Sequence, residues 1–175
     1  QKETGRKLIY GENTWNEAKA WVSDGNSFAL MGDGTNAFIY KFYVNNLEAK
    51  NCYRISSSVA TDVLSADFYA FSSTRSVLFY VKNNTLYAYN YDIGNERVDM
   101  IPLETTDEIT MLKFDLTMEP MKDALYIATY SAIEGGSLRK YYVGNNPDKV
   151  ELKSDPKAVW KGLTKVKNMS WRALL

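Results

Sequence analysis

The chain has no histidine, a single cysteine (Cys52) and no excess of either charge, with 21 basic and 21 acidic side chains. Each absence removes a class of function. One cysteine cannot form a disulfide within the chain, and zinc sites built from Cys and His are excluded. Without an imidazole, acid–base chemistry would fall to carboxylates, Lys, Tyr or a metal held by oxygen ligands. The balanced charge gives no global field to draw nucleic acid or an anionic membrane, and duplex binding depends mainly on phosphate neutralisation. No apolar run approaches the ~20 residues that span a bilayer. The opening QKETGRKLIYGENTW lacks the charged-then-apolar form of a signal peptide and reads as the middle of a longer protein or as a processed end.

What is present suits a folded β protein. Of 175 residues, 45% are apolar and 14% aromatic, enough for a real core. The clearest stretch is Val77 to Leu103, read as three strands: Leu78–Val81, Leu86–Tyr91 and Arg97–Leu103. Asn83-Asn84 and Gly94-Asn95 supply the two turns between them. The unit recurs on either side. Phe28–Met31, Leu78–Val81 and Leu125–Ala128 correspond, as do Ala37–Val44, Thr85–Asp92 and Ser137–Gly144, then Lys50–Ser56, Arg97–Leu103 and Lys149–Lys153. The spacing between copies is about 50 and about 47 residues, a blade-sized period.

Each copy is preceded by one more strand: Ala20–Ser23 for the first, Ala66–Ser72 for the second and Met111–Thr117 for the third. Trp15–Val22 fits a helical face and a strand equally well. The predicted fold is therefore all-β, with antiparallel four-stranded blades in a partial or small β-propeller-like array. Residues 1–27 form an N-terminal strand (Arg6–Tyr10) and cap segment. Residues 28–175 hold three blades, with Leu163–Arg172 as a further leading strand, all in a single domain.

The pattern resembles the C-terminal, propeller-like portion of PKD-like lipoproteins of gut Bacteroidetes. The likeness is carried by Leu125–Tyr130 (LYIATY), by Gly135-Gly136 before a Tyr-rich strand and by the ending Trp160–Arg172 (WKGLTKVKNMSWR). It implies an extracytoplasmic protein, in the periplasm or at the cell surface, lipid-anchored through a region upstream of Gln1. It implies no catalytic residues, and the upstream lipidated Cys and immunoglobulin-like modules of such proteins are not in this sequence, which points to a fragment.

The candidate ligand-binding residues are aromatic. Tyr87, Tyr89 and Tyr91 recur at period two and so share one face of a strand, a platform for a sugar or a peptide. The competing reading packs the row against the next blade, because Leu86 and Ala88 are small for the sole apolar face of a buried strand. Trp160 and Trp171, like Trp15 and Trp21, lie toward the chain ends, where exposed rings would bind a ligand and buried ones would cap terminal blades. Asp33 and Asn36 offer oxygen ligands in a tight loop, but the loop lacks the carboxylate pattern of a calcium site and reads equally as a turn. No metal and no cofactor is expected. Asp62, Asp67, Asp107 and Glu108 fall just before leading strands, on one rim of a propeller channel, where paired carboxylates could cleave a glycan. Cys52 reads as an inert buried thiol. Asn83-Asn84-Thr85 and Asn168-Met169-Ser170 match the glycosylation pattern, without meaning in a bacterial protein.

These readings favour a non-catalytic binding module for a glycan or a protein, not an enzyme. A structural segment completing a larger surface lipoprotein is the alternative, and a carboxylate-dependent glycan-active enzyme the third reading. Three blades cannot close a ring, and the open ends predict pairing with a second copy or with upstream domains.

Overall fold

The computed structural model describes residues 17–23, 26–32, 36–43, 52–72, 75–114 and 124–169. They form twelve strands in three antiparallel four-stranded sheets, each a simple meander. Sheet 1 comprises β1 (Glu17–Ser23), β2 (Asn26–Gly32), β3 (Ala37–Tyr43) and β4 (Cys52–Arg54). Sheet 2 comprises β5 (Phe68–Phe71), β6 (Val77–Lys82), β7 (Thr85–Asn90) and β8 (Arg97–Ile101). Sheet 3 comprises β9 (Glu108–Phe114), β10 (Ala124–Ser131), β11 (Gly135–Val143) and β12 (Leu152–Leu163). Among the described residues the sheets close into no ring or barrel, and no helix is long and apolar enough to cross a membrane.

The turn residues explain the tightest hairpin. Asn83 and Asn84 join β6 to β7 with φ of 51° and 57°. Both central positions of such a two-residue turn need positive φ, and Asn tolerates it better than other side chains.

The sheets stack face to face with sheet 2 in the middle. Along β7, Leu86 and Ala88 point toward sheet 3, and Tyr89 points toward sheet 1. Between sheets 1 and 2, Phe28 stacks on Phe71 at 5.3 Å, with Leu30, Ile39, Leu78 and Tyr80 around them. Between sheets 2 and 3, Phe79 lies over Phe114 at 6.2 Å, among Val81, Ile109, Leu125 and Ile127. This position makes β6 apolar on both faces, and all of Val77–Val81 is buried.

The leading strands of the three sheets run side by side, β5 lying against β1 on one flank and β9 on the other. A 3₁₀ turn at Thr61–Ser65 carries the chain from sheet 1 to β5. The Tyr69 hydroxyl secures it, donating to the Val63 carbonyl and accepting the Ala66 N–H at 3.2 Å.

A bulge shapes β9. Met111 stands opposite Ala128 and Ile109 opposite Thr129, so Thr110 is an extra residue. The bulge lets Ile109 share the inner face with Leu112 and Phe114 while Met111 turns to the outer face.

Several expected boundaries change. The first sheet begins at Glu17, so the segment before residue 28 contributes its leading strand as β1. Trp15 and Arg6–Tyr10 lie outside the described residues. The last strand is not Lys149–Lys153 but the twelve residues Leu152–Leu163, with an irregularity in its pairing between Ser154 and Val159 around Pro156. Nor is there a strand beginning at Leu163. Residues 164–169 are irregular and cross the outer face of sheet 3, where Val166 and Met169 pack against Met111, Tyr126 and Ala128. Lys113 holds the crossing by donating to Asn168 Oδ1 at 3.0 Å and to the Met169 carbonyl. The outer face that the sequence reading left open is thus partly covered by the chain itself.

Candidate functional site

The tyrosine row is placed by the alternation of β7. Tyr89 and Tyr91 are 6% and 2% exposed, with ring centroids 6.2 Å apart in the seam between sheets 1 and 2. Half-buried Tyr87 stacks on Tyr80 at 5.2 Å. Burial pushes the Tyr91 hydroxyl well above the ordinary tyrosine range, with Asp92 adding to the effect, and Tyr89 is raised by burial and then by Glu96. Trp160 is elsewhere, on β12 opposite Leu138, with 45% of its surface exposed. The tyrosines meet one another but not Trp160. Trp171 and Asp33 lie outside the described residues, and Trp21 and Cys52 fall in β1 and β4.

The rim carboxylates fare differently. Because β5 and β9 lie side by side and start at the same end of the stack, Asp67 and Glu108 meet at one cleft of about 540 Å³. Phe68, Val81 and Ile109 provide its apolar wall, and Asn84, Thr110, Lys165 and Lys167 complete the lining. Glu108 pairs with Lys165 at 3.0 Å. The Asp67 N–H donates to the Val81 carbonyl at 2.8 Å, but its carboxylate has no hydrogen bond or ion pair among the described residues, and neither has the Lys167 ammonium.

Asn84 fixes the rim. Its Oδ1 accepts the Ile109 N–H at 2.7 Å, and its Nδ2 donates to the Asp107 carbonyl at 3.2 Å and the Thr106 carbonyl at 3.4 Å. The bulge residue Thr110 is buried, and its hydroxyl is the only buried side-chain polar atom without a partner among the described residues. Buried polar groups are nearly always paired, and this one is an exception.

A second cleft of about 280 Å³ runs between β8 and the connection from β11 to β12. Its charges are already matched: Asp99 accepts from Arg97 at 3.3 Å and from the Val150 N–H at 3.0 Å, and Lys149 pairs with Glu151 at 3.2 Å. A further network is structural. The Tyr141 hydroxyl donates to Glu104, which Arg139 contacts at 3.2 Å, bracing the β8–β9 connection against β11. No group of three or more Cys, Asp or Glu side chains able to hold a metal occurs among the described residues.

Asp67 and Glu108 were legible as rim residues from their place before leading strands. Phe68, Thr110, Lys165 and Lys167 were not, since a bulge has no fixed sequence signal and the expected strand at Leu163–Arg172 sent both lysines elsewhere. Comparison with known protein families, with curated proteins and with solved structures returns no match to this chain.

Proposed function

We propose that the chain is a non-catalytic, extracytoplasmic binding module and that its ligand sits in the cleft where β5 and β9 begin. The observation that carries this reading is a roomy cleft holding one carboxylate, Asp67, and one ammonium, Lys167, neither with a partner, beside an apolar wall. Polar groups converging beside an apolar wall fix the orientation of a ligand in a small-ligand site.

The three sheets are read as blades of a propeller-like array. Meander order, side-by-side leading strands and a period near 50 residues support this, and a rim of the central channel is where such arrays gather their loops. The resemblance to PKD-like lipoproteins supports the compartment. A binding rather than catalytic role is favoured because Glu108 is tied to Lys165, which leaves one free carboxylate where glycoside cleavage uses two.

The test is a binding screen of immobilised protein against mixed oligosaccharides and short peptides, run in parallel with the Asp67→Ala/Lys167→Ala double variant. A compound retained by the native protein and lost from the variant supports the reading. Equal retention by both would move the site elsewhere, and no retention at all would favour the purely structural role.

A further inference from the structure

Resting on that reading of the cleft, we infer that its ligand is an uncharged sugar, a pyranose unit of a neutral glycan. Charge comes first. Glu108 and Lys165 neutralise each other at 3.0 Å, and the two groups left over, Asp67 and Lys167, carry opposite signs. A net anion would meet the Asp67 carboxylate, and a net cation the Lys167 ammonium. The lining as a whole therefore selects for no net charge.

Hydrogen-bonding capacity narrows the choice. A carboxylate only accepts and an ammonium only donates, whereas a sugar hydroxyl does both, so neighbouring hydroxyls of one ring can donate to Asp67 and accept from Lys167.

The apolar wall supplies the remaining element. Phe68, half-buried at the first position of β5, is the one aromatic ring lining the cleft, and buried Val81 and Ile109 flank it. A pyranose has a C–H face that packs on such a surface while its rim of hydroxyls reaches the polar groups. A volume of about 540 Å³ lies inside the span of small-molecule sites, roughly 300–1,000 Å³.

The experiment is isothermal titration with neutral trisaccharides of glucose, mannose, galactose and N-acetylglucosamine. Tri-galacturonate serves as an anionic comparator and triglycine as a zwitterionic one. The native protein is compared with Asp67→Asn and Lys167→Met, with circular dichroism confirming that each folds. The expected result is saturable binding of at least one neutral trisaccharide. Asp67→Asn and Lys167→Met should each weaken it about tenfold. Binding of tri-galacturonate or triglycine alone, lost in Asp67→Asn or Lys167→Met, would overturn the neutral-sugar inference while keeping the cleft as the site. Binding of no probe, or binding indifferent to both substitutions, would overturn both.

Discussion

The side-chain carbonyl of Asn84 accepts the backbone N–H of Ile109 at 2.7 Å, so a turn of the middle sheet sets the start of the next sheet's leading strand. Asn84→Gly removes this bond together with the two that Nδ2 donates to the Thr106 and Asp107 carbonyls, without straining the turn, because glycine also accepts the φ of 57° at this position. The expected loss is about 1–3 kcal/mol, the cost of leaving the Ile109 N–H without its acceptor. Urea denaturation measures it, and a loss under about 0.5 kcal/mol would mean that the bond does not hold the rim.

Tyr89 tests the seam between sheets 1 and 2. Tyr89→Ala is expected to cost about 3–5 kcal/mol, as other large aromatic truncations in cores do. A cost below about 1 kcal/mol would contradict its burial against sheet 1.

Gly136 marks where the chain leaves β12 and crosses sheet 3. A Cβ placed there would sit 2.0 Å from the Thr164 carbonyl oxygen, a backbone atom with little freedom to move. Gly136→Ala should therefore displace residues 164–169 and lower stability by about 1–3 kcal/mol, in the range of overpacked sites. Limited digestion with trypsin should show faster cleavage after Lys165 and Lys167. Unchanged cleavage there would contradict the crossing.

Alkaline pH is expected to destabilise the fold. Burial raises the Tyr91 and Tyr141 hydroxyls above their ordinary value of about 10; Asp92 adds to the shift at Tyr91, and the hydrogen bond to Glu104 adds at Tyr141. A raised folded value means that the stabilisation is fully present below pH ~10, where neither state ionises. It is lost as pH climbs from there toward the folded values, because the unfolded chain releases its protons first. Urea midpoints should be level with respect to these groups up to about pH 9 and fall beyond about pH 10. Tyr141→Phe should flatten part of that fall, and an unchanged slope would remove Tyr141 from the account.

Much of the architecture was legible because the middle copy obeys local rules. Asn83-Asn84 marks a two-residue hairpin, and the period-two pattern of β7 assigns Leu86 and Tyr89 to opposite faces. The end of the chain was less legible, since the stretch between the strands read at Lys149–Lys153 and Leu163–Arg172, with Asp155, Pro156, Lys157 and Lys161, gives no apolar alternation. Yet Leu152–Leu163 is one long strand, paired to β11 through two irregularities that no pattern announces. The cleft was half legible: a carboxylate before each of two leading strands could be read, but the pairing of Glu108 with Lys165 depends on a crossing that only the three-dimensional arrangement reveals.

The most direct test of the cleft as the binding site is a set of ¹H–¹⁵N correlation spectra recorded while the neutral trisaccharides and triglycine are titrated in turn. Saturable shifts are expected at the amides of Asp67, Phe68, Asn84, Glu108–Thr110 and Lys165–Lys167, with β12 around Trp160 silent. Shifts centred on Trp160, or none that saturate with any probe, would contradict the account.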